Sequence, residues 1–242
     1  MQAISQSMRL LWDALFLQPE PYATLRDDKR PFMRGLTILL VLGLLLGLVG
    51  VIGATLEWAS SPNLADLQAT VEAELQNMPW WSDMAQVPEA MEAFQQVWDT
   101  IWRFVGFFAP SPATSLAGII TKPLTLILGW LVWGVVAHLL ARLFGGDGNL
   151  GQTLGATALG AAPQLLTIAT ALPFVAVAGL GVWSLLCNYV ALRTVHNLSW
   201  GRAAWAAFLP PVILGLIFGI IGGIVGAALL PTLINNLSAG GF

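Results

Sequence analysis

Residues 36–56, LTILLVLGLLLGLVGVIGATL, contain no charged side chain and decide the class of fold. A helix needs about 20 mostly apolar residues to cross a bilayer. Four further apolar runs of suitable length follow, at residues 124–144, 153–171, 173–192 and 203–230. Lys122-Pro123 is expected to introduce the second run, and Pro231 to close the last. The sequence therefore predicts an all-α, polytopic membrane protein with five transmembrane helices.

The composition of the chain agrees with this class. Of its 242 residues, 57% are hydrophobic and 10% are charged, whereas soluble domains average about 45–50% apolar and about 25% charged residues. So few charges cannot cover so much apolar surface, which excludes a soluble enzyme and a disordered protein. The net charge of −3, without a long basic run, excludes a nucleic-acid partner. The single cysteine, Cys187, excludes a disulfide framework.

Basic residues predict the orientation, because cytoplasmic loops of membrane proteins carry an excess of Lys and Arg. A cytoplasmic N-terminus places eight basic residues on the inner side, namely Arg9, Arg26, Lys29, Arg30, Arg34, Arg142, Arg193 and Arg202. Only Arg103 and Lys122 then lie outside. With five spans, the C-terminus is extracytoplasmic, in a multi-pass protein of the cell membrane whose first partner is the lipid bilayer.

Residues 1–35 are predicted to form a cytoplasmic lead-in, and residues 36–242 the five-span membrane domain. Within the lead-in, residues 3–17 are expected to form an amphipathic helix that lies on the inner leaflet. Its apolar residues follow helical spacing, at Ile4, Met8, Leu11, Trp12 and Leu15.

Residues 59–112 are predicted to form an extracytoplasmic helical hairpin between spans one and two. Asn63 suits the N-cap of its first helix. Its second helix carries an apolar stripe with the a/d spacing of a coiled coil, at Met84, Val87, Met91, Phe94, Trp98, Ile101, Val105 and Phe108. We expect the stripes of the two helices to bury each other.

The hairpin has more aromatic surface than this mutual burial uses. Trp80, Trp81 and Trp102 lie off the stripe, and surplus aromatic surface of this kind is typical of a protein interface. We therefore predict that a partner binds at Trp80, Trp81, Phe94 and Trp98.

Glycines recur four residues apart in spans one and five, and this spacing lets helices approach closely in lipid. Gly215, Gly219 and Gly223 of span five are predicted to form a second partner-binding face. The sequence leaves open whether spans one and five pack on each other or leave a face for another chain.

Polar residues inside spans are candidates for function. Three are predicted to line a polar path if the protein moves a solute, namely Gln164, Asn188 and His138. His138 is also the residue that would ligate a cofactor, although a hydrogen-bonded packing histidine is commoner. No acid lies within a span and no catalytic or metal-binding motif is present, so we predict no enzyme activity and no cofactor.

Several short motifs occur in an order that resembles the bacterial form of the Yip1 family. They are LLARLFGG at residues 139–146, Ala161-Ala162-Pro163, LRTVHNLS at residues 192–199, and Pro210-Pro211. The resemblance covers residues 8–60 and 115–230 and implies a five-span fold in the bacterial inner membrane. Eukaryotic members bind small prenylated GTPases, but residues 1–35 are too short for the cytoplasmic region of those proteins. For bacterial members the resemblance implies no defined activity.

The favoured function is that of a non-enzymatic accessory or scaffold protein that organises the membrane through protein–protein contacts, with a protein partner or as a homo-oligomer. The alternative is a transporter or channel for a small solute or a lipid. The second alternative is a cofactor-bearing subunit of a membrane electron-transfer complex.

Overall fold

The structure, a computed structural model, describes residues 2–61, 63–109, 115–172 and 175–239. Every regular element in these ranges is a helix, which confirms the all-α prediction. The α-helices are α1 (Gln2–Leu15), α2 (Glu20–Arg26), α3 (Pro31–Ser60), α4 (Leu64–Gln76), α5 (Trp81–Ala85), α6 (Pro88–Phe108), α7 (Gly118–Leu143), α8 (Leu150–Thr157), α9 (Leu180–His196) and α10 (Trp200–Ala239). A 3₁₀ helix, Ala158–Ala171, directly follows α8.

Four helical segments of the described chain are long and apolar enough to cross a membrane. They are α3, α7, the combined helix Leu150–Ala171, and Trp200–Thr232 of α10. The remaining predicted span, at residues 173–192, is replaced by α9, which begins only at Leu180 and has 17 residues. At about 1.5 Å per residue α9 is about 25 Å long, against a hydrocarbon core of about 30 Å. A count of five spans therefore stays a prediction.

Two expected span boundaries at prolines are wrong. Pro123 does not introduce span two, because α7 begins at Gly118 and contains Pro123. Pro231 does not close span five, because α10 runs through it and through Pro210 and Pro211. A proline removes one backbone N–H donor, and helices in membranes tolerate this loss through neighbouring helices and local adjustment.

The third span combines two helix types. Asn149 caps α8 in a capping box, because its side chain accepts the backbone N–H of Gln152 and the Gln152 side chain accepts the N–H of Asn149. From Ala158 onward the helix is 3₁₀ and contains Pro163, which has no N–H to donate to an α-helical carbonyl. This tighter segment positions Gly160 and Gln164 beside α9, where the candidate site begins.

α3 lies at the centre of the bundle and packs against α7, α8 and the 3₁₀ helix. A Cβ on Gly43 would collide with the backbone of Pro123, and a Cβ on Gly47 would lie 2.7 Å from Cα of Ile119. Small residues allow such close approach of helices in lipid. Gly43 and Gly47 of span one therefore pack on α7 inside this chain rather than on span five.

The first helix is buried in the bundle. Leu11 and Ala14 of α1 are fully buried in the same apolar core as Leu42 of α3 and Leu159 of the 3₁₀ helix. The apolar stripe that we expected to face the lipid leaflet therefore faces the protein. Trp12 is the exception, with 57% of its surface exposed.

α1 and α2 form a helical hairpin alongside α9. Near the hairpin turn, Nε1 of Trp183 donates to the carbonyl of Leu15 over 2.7 Å. α2 then returns along α9, where Nη1 of Arg26 donates to the carbonyl of Thr194 over 3.1 Å. The lead-in is thus packed into the membrane domain over the length of α9.

The segment from α4 to α6 contains the predicted hairpin helices but not their mutual burial. The Asn63 side chain accepts the N–H of Ala65 over 3.0 Å, which confirms the N-cap. α4 and α6 meet where Leu64 contacts Gly106, yet Leu67 and Val71 stay exposed at 43% and 38%. None of the described side chains in α4, α5 or α6 is buried. The coiled-coil prediction is therefore wrong. Phe94 and Trp98 of the α6 stripe instead contact neighbouring aromatic rings.

Candidate functional site

A cavity of about 230 Å³ lies between α7, the 3₁₀ helix and α9. Gln164 and Asn188 both line it, so the structure brings these two residues of the predicted polar path together. The indole rings of Trp130 and Trp133 supply apolar wall on the α7 side. The cavity thus joins amide groups to aromatic surface, a combination typical of small-molecule sites.

Both amides keep hydrogen-bonding capacity for a ligand. Asn188 packs on Gly160, where a Cβ would collide with its side chain. Its Oδ1 is buried and has no hydrogen-bond partner in the described ranges. The Gln164 carbonyl accepts from the Thr167 hydroxyl over 2.6 Å, while the side-chain amide of Gln164 has no partner among the residues that the structure describes. An unpaired buried polar atom costs about 1–3 kcal/mol, so a bound group that pairs with it stabilises the site.

The cavity continues as a groove between α3 and α7. A second cavity of about 310 Å³ shares Thr125 and Gln164 with the first. A third cavity of about 260 Å³ shares Gly50 and Lys122 with the second. We call these three connected cavities the polar groove.

The polar groove is longer than one leaflet of the hydrocarbon core is thick. Its lining extends along α7 from Trp133 to Gly118. These fifteen helical steps correspond to about 22 Å at about 1.5 Å per residue. One leaflet contributes about 15 Å to a hydrocarbon core of about 30 Å. The groove therefore accommodates an extended amphipathic molecule.

Lys122 is the one charged residue that lines the polar groove within the described ranges. It lies beside Leu46 and Gly50, near the middle of the apolar run of α3. It has no ion-pair partner in the part of the chain that the structure describes. Lys122 is the fifth residue of α7 and is exposed. An anion in the groove would pair with its ammonium group.

His138 does not belong to the polar groove. Its Nδ1 lies 2.9 Å from the Thr153 hydroxyl oxygen, which is also 2.8 Å from Nε2 of His196. The centroids of the two imidazole rings are 5.3 Å apart. No group of three His, Cys, Asp or Glu residues suited to a metal ion occurs among the described residues. The predicted polar path therefore retains Gln164 and Asn188 and loses His138.

The aromatic residues of the α4–α6 segment form one continuous row. The ring centroids are 5.8 Å apart for Trp80 and Trp81, 5.1 Å for Trp81 and Phe94, and 5.6 Å for Phe94 and Trp98. Trp102 extends the row at 5.5 Å from Trp98. We call these five residues the aromatic cluster. Trp80, Trp81 and Trp102, which were predicted to lie off the stripe of α6, are therefore members of the aromatic cluster.

The glycine face of α10 has nothing packed on it in the described chain. Ala203, Ala206 and Ala207 at the start of α10 are fully buried against α7 and α9. Farther along, a Cβ on Gly215, Gly219 or Gly223 would meet no atom within 4 Å. The most apolar window of this helix has no buried residue.

Lys122 and Thr153 are the site residues that the sequence did not indicate. A signal for Lys122 exists, because it stands between Thr121 and Thr125 at the start of an apolar run that continues to residue 144. For Thr153 there is no such signal, because its role depends on two histidines distant in sequence.

Long apolar helices around a polar groove define an integral, polytopic membrane protein of the all-α class. The family model of the Yip1 domain matches residues 14–223, most of the chain. The protein belongs to the Yip1 family, as the order of its motifs indicated. No curated protein and no solved structure matches the chain.

Proposed function

We propose that this protein is a non-enzymatic, membrane-organising scaffold that acts through helix–helix contacts with another chain in the bilayer. The contact face is the glycine stripe of α10, at Gly215, Gly219 and Gly223. The observation that carries the proposal is the empty space above this stripe. Helices associate in lipid where small residues four apart let their backbones approach.

A comparison within the chain supports this reading. α3 and α10 carry glycines at similar spacing, and Gly43 and Gly47 of α3 are closed over by α7. The same device in α10 is left without a packing partner in the described structure. Each glycine destabilises a helix by about 1 kcal/mol relative to alanine. Glycines on which no helix packs do not offset this cost. A second helix on this face would give the glycines a packing role.

The proposed topology has five spans, with residues 173–192 as the fourth, a cytoplasmic N-terminus and an extracytoplasmic C-terminus in the bacterial inner membrane. The α4–α6 segment then lies on the extracytoplasmic side of the membrane. Support comes from the clustering of basic residues at one end of the bundle. Arg26 contacts the end of α9, and Arg142 donates to the carbonyl of Gly146 in the turn before α8. Arg202 lies beside Gly145 in the same turn.

The experiment is native mass spectrometry of the protein extracted gently from its own membranes. We expect either a multiple of 25.8 kDa or a larger assembly that contains other chains. The Gly219→Leu and Gly223→Leu variants should release the lone chain, because leucine fills the contact face. Ala228→Leu is the matched control, since at 100° per residue position 228 faces away from Gly219. A wild-type mass of 25.8 kDa alone would contradict the proposal.

The transporter alternative is supported by the cavity that unites Gln164 and Asn188. Solute or lipid flux into proteoliposomes tests it, and flux indifferent to Gln164→Leu and Asn188→Leu would exclude this path. The cofactor-bearing alternative has no observation in its favour beyond the histidines, and a colourless purified protein would contradict it.

A further inference from the structure

The polar groove presents a positive charge without a counter-ion. Lys122 lines its second and third cavities. None of the thirteen Asp and Glu residues of the sequence is among the residues that line the groove. A charge inside a membrane protein normally faces a cavity and is paired. The groove therefore offers a positive charge, with no carboxylate beside it, to an anion from outside the chain.

The hydrogen-bonding groups of the groove suit the oxygens of an anion. The hydroxyl groups of Thr125, Thr167 and Thr170 donate to carbonyls of their own helices, over 2.6–2.7 Å. The donors left for a ligand are the ammonium group of Lys122 and the side-chain N–H groups of Gln164, while the unpaired Oδ1 of Asn188 is an acceptor. A phosphate group accepts hydrogen bonds from both ammonium and amide donors.

The shape and apolar walls of the groove suit a molecule with a hydrocarbon tail. Leu46 and Val49 of α3 face Leu126 of α7 across the second cavity, and Trp130 and Trp133 continue the apolar wall in the first. The phosphate site at Lys122 and the apolar wall follow one another along a groove of about 22 Å. This order of charge and tail is that of a membrane lipid.

The groove is accessible from the side of the bundle. Gly50, Lys122, Thr125 and Gly129 line it and are exposed at the surface of α3 and α7. Both helices are long and apolar enough to cross a membrane. A ligand that arrives within the bilayer therefore meets this opening directly.

We propose that the polar groove binds an anionic membrane lipid, whose phosphate pairs with Lys122 and Gln164 and whose hydrocarbon tail lies along α7 toward Trp133. This site is separate from the glycine stripe of α10, so either assignment stands if the other fails. A soluble phosphate-bearing anion would use the same donors but would leave the apolar walls unoccupied.

The test is native mass spectrometry of the full chain in detergent, titrated with phosphatidylglycerol and with phosphatidylcholine of the same acyl chains. We expect phosphatidylglycerol to bind more tightly, and Lys122→Met to weaken its binding at least about fivefold, the effect of one basic residue beside anionic lipid. Lys122→Arg should retain binding because it keeps the charge.

Arg103→Met is the matched control, since Arg103 is an exposed basic residue of α6 that lies outside the groove. Equal binding of both lipids, no loss in Lys122→Met, or an equal loss in Arg103→Met would each overturn the proposal. Displacement of the lipid by millimolar inorganic phosphate would also overturn it, because the site would then bind a soluble anion. All variants should be compared at matched helicity, so that misfolding is not counted as lost binding.

Discussion

The hydroxyl oxygen of Thr153 lies 2.8 Å from Nε2 of the buried His196. The same hydroxyl donates to the carbonyl of Asn149 over 3.0 Å, so its oxygen accepts the proton of His196 Nε2. Nδ1 of His196 is buried and has no hydrogen-bond partner among the described residues, so a proton on it would have no acceptor. The geometry therefore favours the neutral form of His196.

This arrangement predicts a loss of stability in acid. His196 lies beyond the apolar residues 173–192, and its pKa is lowered to about 4. Burial is the largest cause, His138 and Arg142 also lower the pKa, and Asp147 opposes them. The unfolded chain binds this proton near pH 6.5, so stability should be complete above that pH and fall as the pH drops toward 4. Thermal unfolding in detergent at pH 7.5 and 4.5 measures this. His196→Gln should show a smaller difference between the two, and an equal difference would contradict the assignment.

Two glycines of α3 offer a matched test of the packing between α3 and α7. Gly43→Ala should destabilise the protein by about 1–3 kcal/mol, because its Cβ collides with Pro123 and overpacking forces the backbones apart. Gly50→Ala should be neutral or slightly stabilising, since no atom lies within 4 Å of its Cβ. Thermal unfolding in one detergent measures both. Equal effects would mean that α3 and α7 do not approach as closely as described.

Neighbouring residues of α1 distinguish an inserted helix from one on the membrane surface. Leu11→Ala should cost about 2–5 kcal/mol, because Leu11 is fully buried and the change leaves a cavity. Trp12→Ala should cost far less, since Trp12 is 57% exposed. The midpoint of chemical denaturation in mixed micelles reports both. The opposite ranking is expected if α1 lies on a leaflet.

The aromatic cluster provides a test of a second partner-binding face. Phe94→Asp and Trp98→Asp place a carboxylate between rings in contact, so they should disrupt the row and abolish recovery of a partner with the tagged protein. Val97→Asp is the control, because Val97 is 58% exposed on the same helix. Partner recovery that survives both cluster variants would leave the contact to the glycine stripe of α10.

The orientation of the chain can be read from the labelling of introduced cysteines. The natural Cys187 is fully buried and should not react with a membrane-impermeant maleimide. Ser82→Cys in α5 should react in intact cells, and Lys29→Cys only after lysis, because both positions are exposed but on opposite sides of the proposed topology. Reaction of Lys29→Cys in intact cells would reverse the proposed orientation.

The sequence predicted the long spans well, because the thickness of the bilayer sets the length of the apolar run that a spanning helix needs. It did not predict the burial of α1, since an apolar stripe at helical spacing looks the same whether it faces lipid or protein. Leu11 and Ala14 face Leu159 only once the 3₁₀ helix is in place. The position of Lys122 in the polar groove also depends on tertiary packing, namely the contact of Pro123 with Gly43.

The aromatic cluster shows a narrower ambiguity. A spacing of three or four residues after Trp98 is met equally by Ile101 and by Trp102. The structure selects Trp102, whose ring contacts that of Trp98, and leaves Ile101 50% exposed. Periodicity predicted the face of α6 to within one residue, and the ring contact with Trp98 distinguishes Trp102 from Ile101.

The burial of α1 against α9 imposes an order on the synthesis of this protein. Tyr22 and Cys187 both contact the carbonyl of Ala14, and Cys187 follows Ala14 by 173 residues. At about 5–20 residues per second the ribosome needs about 10–35 s to supply that contact. During this interval the first helix emerges without its packing surface. The hairpin of α1 and α2 is therefore made well before the α9 surface that it contacts, and it completes its docking only after α9 is made.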